Sequence, residues 1–429
     1  MAGDDRRDTM TALADHRSRV LGQIDDDEVV RLAMDLVRIP SFTTEETPCA
    51  EWLATYLDQQ GLEVELQEVE PGRKQTIAWL RGSGGGRSIM LNGHIDIDPL
   101  GGGWTRDPFD PWIEDGKLFG HGIYNMKAGL TACIMAALAL KRSDVPIRGD
   151  IAVACVAGEL NSGIGTIHAI ANGARTDLAV VAEPYGARTI LTKHTGTMDV
   201  VVHTLGRAMH ISRKEQGVDA IARMIRAIQA TDTMQFTHVW DADLPGLPRL
   251  NVGSIVGGRG REHQLRGAYT VSDFCTAYVN VRFNASMTQE SILADFRRTL
   301  DALKADDPDF EYEIEFPPLP ERGLGRLCKA AFDIPIDQPI VQMLVRNLKT
   351  VTGHDPEHLG ARLPQSYAGN DTTHLWAAGI PCCVYGPLGG YTDYHDVYTY
   401  LDELFTVTRV LASTALEATT LDPSPSLRR

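Results

Sequence analysis

The sequence predicts an α/β fold in which a doubly wound, mostly parallel sheet forms the larger domain and a smaller α+β unit is inserted into it. Short apolar runs that end in polar residues alternate with helical segments in the first part of the chain. From about residue 190 the pattern changes to half-exposed, alternating strands, and the first pattern returns later. The 429 residues also exceed the size of one ordinary core, which favours two domains.

Composition narrows the class of protein and its partners. Hydrophobic residues make up 43% of the chain, and we expect no apolar run as long as a membrane span. The net charge of −16 argues against nucleic acid and anionic membranes as partners. The seven cysteines lack C-x-x-C spacing, so we expect buried thiols. Because the polar N-terminus lacks the apolar core of a signal peptide, the sequence predicts a cytoplasmic protein.

The first part of the larger domain is predicted over residues 25–189, after an N-terminal leader of residues 1–24. Acidic residues at 25–28 supply negative charge at a helix start, and Pro40 ends that helix. The later helices of this part are predicted at about 46–59 and 129–140, and the strands at 62–69, 76–80, 88–91, 151–157 and 178–182.

The inserted unit is predicted over residues 190–306. Its strands are predicted at 200–204, 251–256 and 276–283, with helices near 217–229 and 288–304. The larger domain resumes over residues 307–421, and residues 422–429 are predicted to be a tail. The elements predicted in this last part are a helix at 338–352, a strand at about 381–385 and a helix near 401–418.

Polar side chains follow the predicted buried strands, at the edge of the sheet where ligands bind in open α/β folds. His94 and Asp96 come after one strand. Glu159 and Glu183 come after two others. A histidine and carboxylates that converge from separate strands are typical of a hydrolytic metal site. Taken alone, the pair of His94 and Asp96 also fits a catalytic dyad or a polar surface loop.

A series of motifs extends these observations over about residues 25–420. In chain order they are Arg38-Ile39-Pro40-Ser41, Gly93-His94-Ile95-Asp96, Met126-Lys127-Ala128-Gly129, Glu183-Pro184, Gly206 with His210, Gly369-Asn370-Asp371, and Tyr385-Gly386-Pro387 before His395. With these motifs the sequence resembles the M20 family of zinc amidohydrolases and peptidases. That family includes acetylornithine deacetylase, succinyl-diaminopimelate desuccinylase, aminoacylase and glutamate carboxypeptidase.

The resemblance implies a catalytic domain that holds two zinc ions and an inserted lid domain that forms a homodimer. In that pattern His94 and Glu183 bind one metal ion. His395 binds the other together with a second carboxylate, and an aspartate bridges the two ions. Asp96 flanks the first histidine, and Glu159 is the general base that takes a proton from water and passes it to the leaving amine.

The resemblance also assigns residues that contact the substrate. His210 of the lid reaches the partner subunit's site and stabilises the oxyanion. Arg282 belongs to the lid's contacts with the substrate carboxylate. The full set of predicted substrate-binding residues is Arg282, Tyr269, Asn125, Gly369 and Asn370. Family members carry a cis peptide bond after the bridging aspartate, so we expect Asn125 and Met126 to be joined in this way.

The sequence departs from the family at its metal ligands. Asn125 stands where the bridging aspartate is expected, and Leu160 stands where a second glutamate is expected. Tyr269 and His121 replace an asparagine and an arginine of the family's motifs. A neutral amide offsets the repulsion between two cations poorly, and leucine offers no ligand atom. We therefore predict one zinc ion per chain or none, with Asn125 as a weak ligand. A helix cap is the alternative role for Asn125.

The predicted function is that of an M20-like amidohydrolase of the deacylase or peptidase class, acting on an N-acyl amino acid or a small peptide. One alternative is a metal-independent enzyme that uses the pocket for amide formation, elimination or isomerisation on an amino-acid-derived intermediate. The other is a non-catalytic homologue that binds a ligand. Each hypothesis has a small amino-acid-like molecule as the partner of the site.

Overall fold

The computed structural model describes residues 2–265, 267–318, 328–393 and 396–420, with side chains from residue 12 onward. The chain divides into two compact units. The first comprises Met1–Lys193, Ile334–Gln365 and Asn370–Arg429, and the second comprises His194–Asp333 and Ser366–Gly369. The predicted tail at 422–429 lies outside the described residues.

The helices and strands are numbered in chain order. The helices are α1 (Ala2–Leu21), α2 (Asp26–Val37), α3 (Thr47–Gln59), α4 (Ala128–Arg142), α5 (Ile164–Ala171), α6 (Ala220–Asp232), α7 (Gln289–Asp306), α8 (Pro339–Thr352), α9 (Thr372–Ala377) and α10 (Leu401–Thr420). The strands are β1 (Glu63–Glu70), β2 (Arg73–Leu80), β3 (Ile89–His94), β4 (Trp112–Glu114), β5 (Lys117–Phe119), β6 (Ile151–Val156), β7 (Leu178–Val181), β8 (Thr189–Leu191), β9 (Lys193–His194), β10 (Gly196–Leu205), β11 (Arg249–Gly258), β12 (Phe274–Phe283), β13 (Glu311–Glu315), β14 (Cys328–Lys329), β15 (Phe332–Asp333), β16 (His358–Gly360), β17 (Cys382–Val384), β18 (Gly389–Tyr391) and β19 (Val397–Tyr400).

An eight-stranded sheet, in the order β1-β2-β6-β3-β7-β17-β8-β16, forms the centre of the first unit. Strand β3 pairs in parallel with both β6 and β7, whereas β2 pairs antiparallel with β1 and β6. Every residue of β3 and β6 is buried, as expected for strands that are covered on both faces. The predicted α/β fold is therefore confirmed, and its large sheet is mixed rather than purely parallel.

Two groups of helices contact this sheet. Helices α4, α8 and α10 pack together, and α5 packs against β6 and α9. Among the described helices, Ile123–Arg142 is long and apolar enough to cross a membrane by length and composition alone, although 89% of its most apolar window is buried within the fold. The expectation that no apolar run reaches that length is therefore wrong for this stretch. A buried core helix meets the same criterion as a membrane span.

Residues 1–24 form part of the first unit rather than a separate leader. Helix α1 packs against α10 and α4. The guanidinium of Arg17 donates to the side chain of Asn347 at 3.0 Å, and that of Arg19 donates to the carbonyl of Ser143 at 2.6 Å. These contacts join residues that are distant in sequence, which is why a local pattern did not predict them.

The second unit contains a sheet in the order β11-β12-β10-β13, with β14 also paired to β10. Helices α6 and α7 pack together, and α6 covers β10, β11 and β12. This unit extends past the predicted boundary at residue 306 because β13 and β14 both pair with β10. Strand β13 alternates polar and apolar residues, but its pairing with β10 joins segments about a hundred residues apart, so the sequence did not show which unit it belongs to.

A buried ion pair between Glu46 and Arg73 predicts a strong effect on stability. Two guanidinium nitrogens of Arg73 donate to the two carboxylate oxygens of Glu46, at 2.8 and 2.5 Å, and both residues are buried. Glu46→Ala leaves most of the buried charge of Arg73 uncompensated, so we expect the free energy of unfolding to fall by about 3–5 kcal/mol. Urea denaturation measures this change.

The matched control is Glu51→Ala, which removes the partner of Lys74 at the surface. Because that ion pair is exposed to solvent, its loss is expected to cost about 0–1 kcal/mol. Equal effects of the two substitutions would show that the buried pair contributes no more than a surface pair.

Candidate active site

His94 is the last residue of the central strand β3, and the chain after it fixes the orientation of its ring. Its Nδ1 lies 2.8 Å from the backbone carbonyl oxygen of Asp96 and 3.4 Å from a carboxylate oxygen of the same residue. The Nδ1–H group therefore donates towards Asp96, which leaves Nε2 to face the interior of the site. This arrangement agrees with the predicted flanking position of Asp96.

Two side-chain oxygen atoms lie near Nε2 of His94. Asn125 Oδ1 lies 3.1 Å away, and Glu183 Oε1 lies 3.8 Å away. Potential ligand atoms of His94, Glu183 and Glu159 all lie within 4.8 Å of one another, and all three residues are buried. One imidazole nitrogen and two carboxylates at this spacing are ligands that zinc binds in proteins, so the donor set fits one metal ion.

The pKa of His94 reflects the negative charges of the carboxylates around it. Burial by itself lowers the pKa of the imidazole. The hydrogen bond and charge of Asp96, with the charges of Glu183 and Glu159, outweigh burial and raise the pKa of His94 well above its usual value. The site is therefore arranged to hold positive charge next to Nε2.

Asp96 connects the histidine to the loop that carries Glu159. Its two carboxylate oxygens accept the backbone N–H groups of Glu159 and Leu160, at 3.0 and 2.9 Å. Burial raises the pKa of Asp96, but His94 and these two N–H groups more than offset it, so the pKa is lowered. Asp96 therefore positions both the candidate ligand and the candidate base.

Asn125 lies on the π-helical turn Ile123–Lys127 that precedes α4. The peptide bond between Asn125 and Met126 is cis, which confirms the expectation. The alternative that Asn125 caps the helix is wrong, because α4 begins at Ala128 without a side-chain cap and the amide oxygen of Asn125 faces His94.

The loop after β6 is shaped by two glycines with left-handed backbone conformations, Gly158 and Gly163. A Cβ atom on Gly163 would lie 2.3 Å from a carboxylate oxygen of Asp371. The other oxygen of Asp371 accepts the hydroxyl of Thr166 at 2.7 Å. Asp371 therefore orders this loop.

The predicted lid residues all lie in the second unit. His210 is exposed, its Nδ1 lies 2.9 Å from the hydroxyl oxygen of Ser212, and its ring centroid lies 6.0 Å from that of Tyr269. Arg282 donates from Nε to Asn280 Oδ1 at 2.9 Å. Gly369 also belongs to this unit, and a Cβ atom on it would lie 3.0 Å from the carbonyl oxygen of Thr195.

The two remaining predicted residues have different outcomes. Asn370 is buried in the first unit, where its Oδ1 accepts the backbone N–H and the hydroxyl of Thr372, at 3.1 and 2.7 Å. These bonds order the start of α9, and its contact with substrate stays a prediction. His395, the predicted ligand of a second metal ion, lies outside the described residues.

Sequence reasoning missed a cavity beside Asn125. Its lining residues include Asp98, Trp104, His121 and Tyr391. They come from loops and the short strand β18, which carry no periodic pattern. The signal available in the sequence was Asp98, which follows Asp96 by two residues, just as Asp96 follows His94.

The sheet, with a histidine and carboxylates gathered at the carboxyl ends of its strands, is the arrangement expected of a hydrolase with an α/β fold. Residues 90–417 match the model described as peptidase family M20/M25/M40. The chain belongs to this family and is a hydrolase of the amidohydrolase class. Members of the family are typically dinuclear metal-dependent enzymes.

Individual relatives cover nearly the same span. The chain is 26% identical over 419 residues to an N-formyl-4-amino-5-aminomethyl-2-methylpyrimidine deformylase of Halalkalibacterium halodurans, covering 90% of this chain and 93% of that one. It is 30% identical over 315 residues to an acetylornithine deacetylase of Salmonella arizonae, covering 70% and 75%. Among solved structures, the M20 metallo-carboxypeptidase Sso-CP2 of Sulfolobus solfataricus shares the fold with a TM-score of 0.72 and 14% identity, covering 92% and 99%.

Proposed function

We propose that this chain hydrolyses the amide bond of an N-acyl amino acid, a small peptide or a related N-acylated amine, with at most one zinc ion per chain. The observation that carries the proposal is the convergence of His94, Glu183 and Glu159 within 4.8 Å at the end of the sheet. Relatives named as a deformylase and a deacetylase act on small N-acyl compounds, which supports this class of substrate. They give no support to the two alternative functions.

The ligand set supports one metal ion better than two. His94 and Glu183 supply a nitrogen and a carboxylate, and Asn125 adds a neutral oxygen. The positions expected to supply the bridging and second-site carboxylates carry Asn125 and Leu160 instead. A zinc ion held by these residues would polarise the scissile carbonyl as a Lewis acid.

The chain's own residues then have distinct tasks in hydrolysis. Glu159 removes a proton from the attacking water and returns it to the leaving amine when the carbon–nitrogen bond breaks. Asp96 holds the ring of His94 and the backbone of the Glu159 loop in their working positions. His210 of a partner subunit would donate a hydrogen bond to the oxyanion.

That last role requires a homodimer, which the surface of the second unit supports. Strand β11 is an edge strand among the described strands of its sheet. Ile255 and Val256 of this strand are exposed, as are Ile221 and Ile225 of α6. An exposed apolar edge strand is a natural surface for pairing with a second copy. All seven cysteines lie within the described residues and none forms a disulfide, which supports the cytoplasm as the compartment.

The experiment is an assay of amine release from N-formyl, N-acetyl and N-succinyl amino acids, before and after treatment with a chelator. We expect hydrolysis that is lost on chelation and restored by one equivalent of zinc per chain. Hydrolysis that survives chelation would instead favour a metal-independent enzyme. Binding of these compounds without turnover under any condition would favour a non-catalytic homologue.

A further inference from the structure

A cavity of about 330 Å³ lies beside the candidate active site, entirely within the first unit. Its wall includes Asn125, whose Oδ1 lies 3.1 Å from Nε2 of His94. The cavity therefore adjoins the point at which the amide bond would be hydrolysed. Two glycines in its wall, Gly101 and Gly102, leave open space where larger residues would project side chains.

The wall of the cavity is aromatic on two sides. The indole of Trp104 meets the ring of His121 edge to face, with centroids 5.7 Å apart. Tyr391 meets Tyr124 in the same way, with centroids 5.5 Å apart. Tyr391 is exposed, and Trp104 is half-buried. Aromatic faces that retain accessible area favour contact with a flat ring in an offset or edge-to-face arrangement.

His121 adds a third aromatic ring to this wall. Its side chain is nine-tenths buried, and its Nε2–H donates to the carbonyl of Asp98 at 2.8 Å. Burial lowers the pKa of His121, so the ring is neutral. Its Nδ1 has almost no accessible surface, so the ring offers the cavity an aromatic contact rather than a hydrogen-bond acceptor.

Asp98 adds a carboxylate to the same cavity. It lines the cavity together with His121 and Tyr391, and its backbone carbonyl oxygen lies 2.8 Å from Nε2 of His121. Asp98 is exposed. Its carboxylate is therefore an accessible acceptor that favours a hydrogen-bond donor or a positive charge.

We propose that this cavity binds the amine part of the substrate as a single flat ring that carries N–H donors, such as an amino-substituted heteroaromatic ring, held between Trp104 and Tyr391 with a donor on Asp98. This inference rests on the proposed amide hydrolysis and names the class of amine that is released. A carboxylate-bearing aliphatic group fits the cavity poorly, because Asp98 would repel it.

The first experiment measures kcat/KM for three N-formyl amines and their N-acetyl counterparts, built on (4-aminopyrimidin-5-yl)methylamine, benzylamine and cyclohexylmethylamine. We expect the aminopyrimidine compound to be favoured over benzylamine by about tenfold or more, because its amino group donates to the carboxylate of Asp98. The cyclohexyl compound is expected to be the poorest. Equal rates for all three amines would overturn the inference while leaving amide hydrolysis intact.

The second experiment measures binding of the free aminopyrimidine amine by calorimetry, so that it does not depend on turnover. Asp98→Asn and Trp104→Leu are each expected to weaken binding by about tenfold, because the first removes the charge of the acceptor and the second removes an aromatic wall. The matched control is Asp110→Asn, an exposed carboxylate outside the cavity wall, which is expected to bind as the parent does. Unchanged affinity in both cavity variants would overturn the inference. The parent protein could hydrolyse no N-acyl compound and still bind this amine, with weaker binding in Asp98→Asn. In that case the proposed function fails and the inference about the cavity stands.

Discussion

Glu159→Gln is expected to reduce the rate of amide hydrolysis by about a hundredfold to ten-thousandfold while leaving the fold intact. Glutamine has the size of glutamate but cannot accept and return the proton of water. The contact that holds the loop is made by the backbone N–H of Glu159 to Asp96, so the substitution preserves it. The measurement is kcat with the best N-acyl substrate, together with the thermal unfolding midpoint.

The matched control is Glu114→Gln, which neutralises an exposed carboxylate paired with Arg106 at the surface. This control is expected to retain full activity. A Glu159→Gln protein with more than about a tenth of parental activity would show that another group handles the proton.

Metal content separates two roles that the structure allows for Glu159. Its carboxylate lies close enough to His94 and Glu183 to be a ligand as well as a base. If Glu159 is only the base, Glu159→Gln retains zinc and loses turnover. Glu183→Gln is the comparison, because it is expected to lose zinc and turnover together. Loss of zinc from both variants would assign Glu159 to the ligand set.

The double substitution Asn125→Asp with Leu160→Glu is expected to raise zinc binding to two ions per chain. The introduced aspartate would place a negative charge where the amide oxygen of Asn125 now faces His94. A glutamate in place of Leu160 would add a ligand without disturbing the backbone N–H that this position donates to Asp96. Two added carboxylates offset the repulsion between two cations, which the present residues do not.

The measurement is zinc per chain after dialysis against zinc-containing buffer, with each single substitution as a control. We expect each single variant to gain less than the double variant, since both ions share the bridging position. Zinc should also raise the unfolding midpoint of the double variant more than that of the parent, because ligand binding stabilises the folded state. Occupancy that stays at the parental level would show that the ligand positions are misassigned.

The sequence could place three candidate site residues at one edge of the sheet because that edge is built from continuous buried strands. Strands β3, β6 and β7 are apolar runs whose ends are marked by polar residues, so His94, Glu159 and Glu183 could be assigned to one edge. The orientation of Asn125 towards His94 was not contained in any pattern of spacing. It depends on the turn before α4, and the expected cis bond came from family resemblance rather than from periodicity.

What the sequence did not predict depends on contacts between distant segments. The cavity beside Asn125 brings together Trp104, His121 and Tyr391 from separate loops and a short strand. The docking of α1 rests on hydrogen bonds from Arg17 and Arg19 to residues far along the chain. Neither feature produces a local hydrophobic period, so neither could be found without the folded arrangement.

The most direct test of the proposed site is the zinc content of the parent protein, reconstituted with excess zinc and then freed of loosely bound ions. We predict no more than one zinc ion per chain, lost in both His94→Ala and Glu183→Gln. Two tightly bound zinc ions per chain in the parent protein would contradict the proposal that the candidate active site binds at most one metal ion.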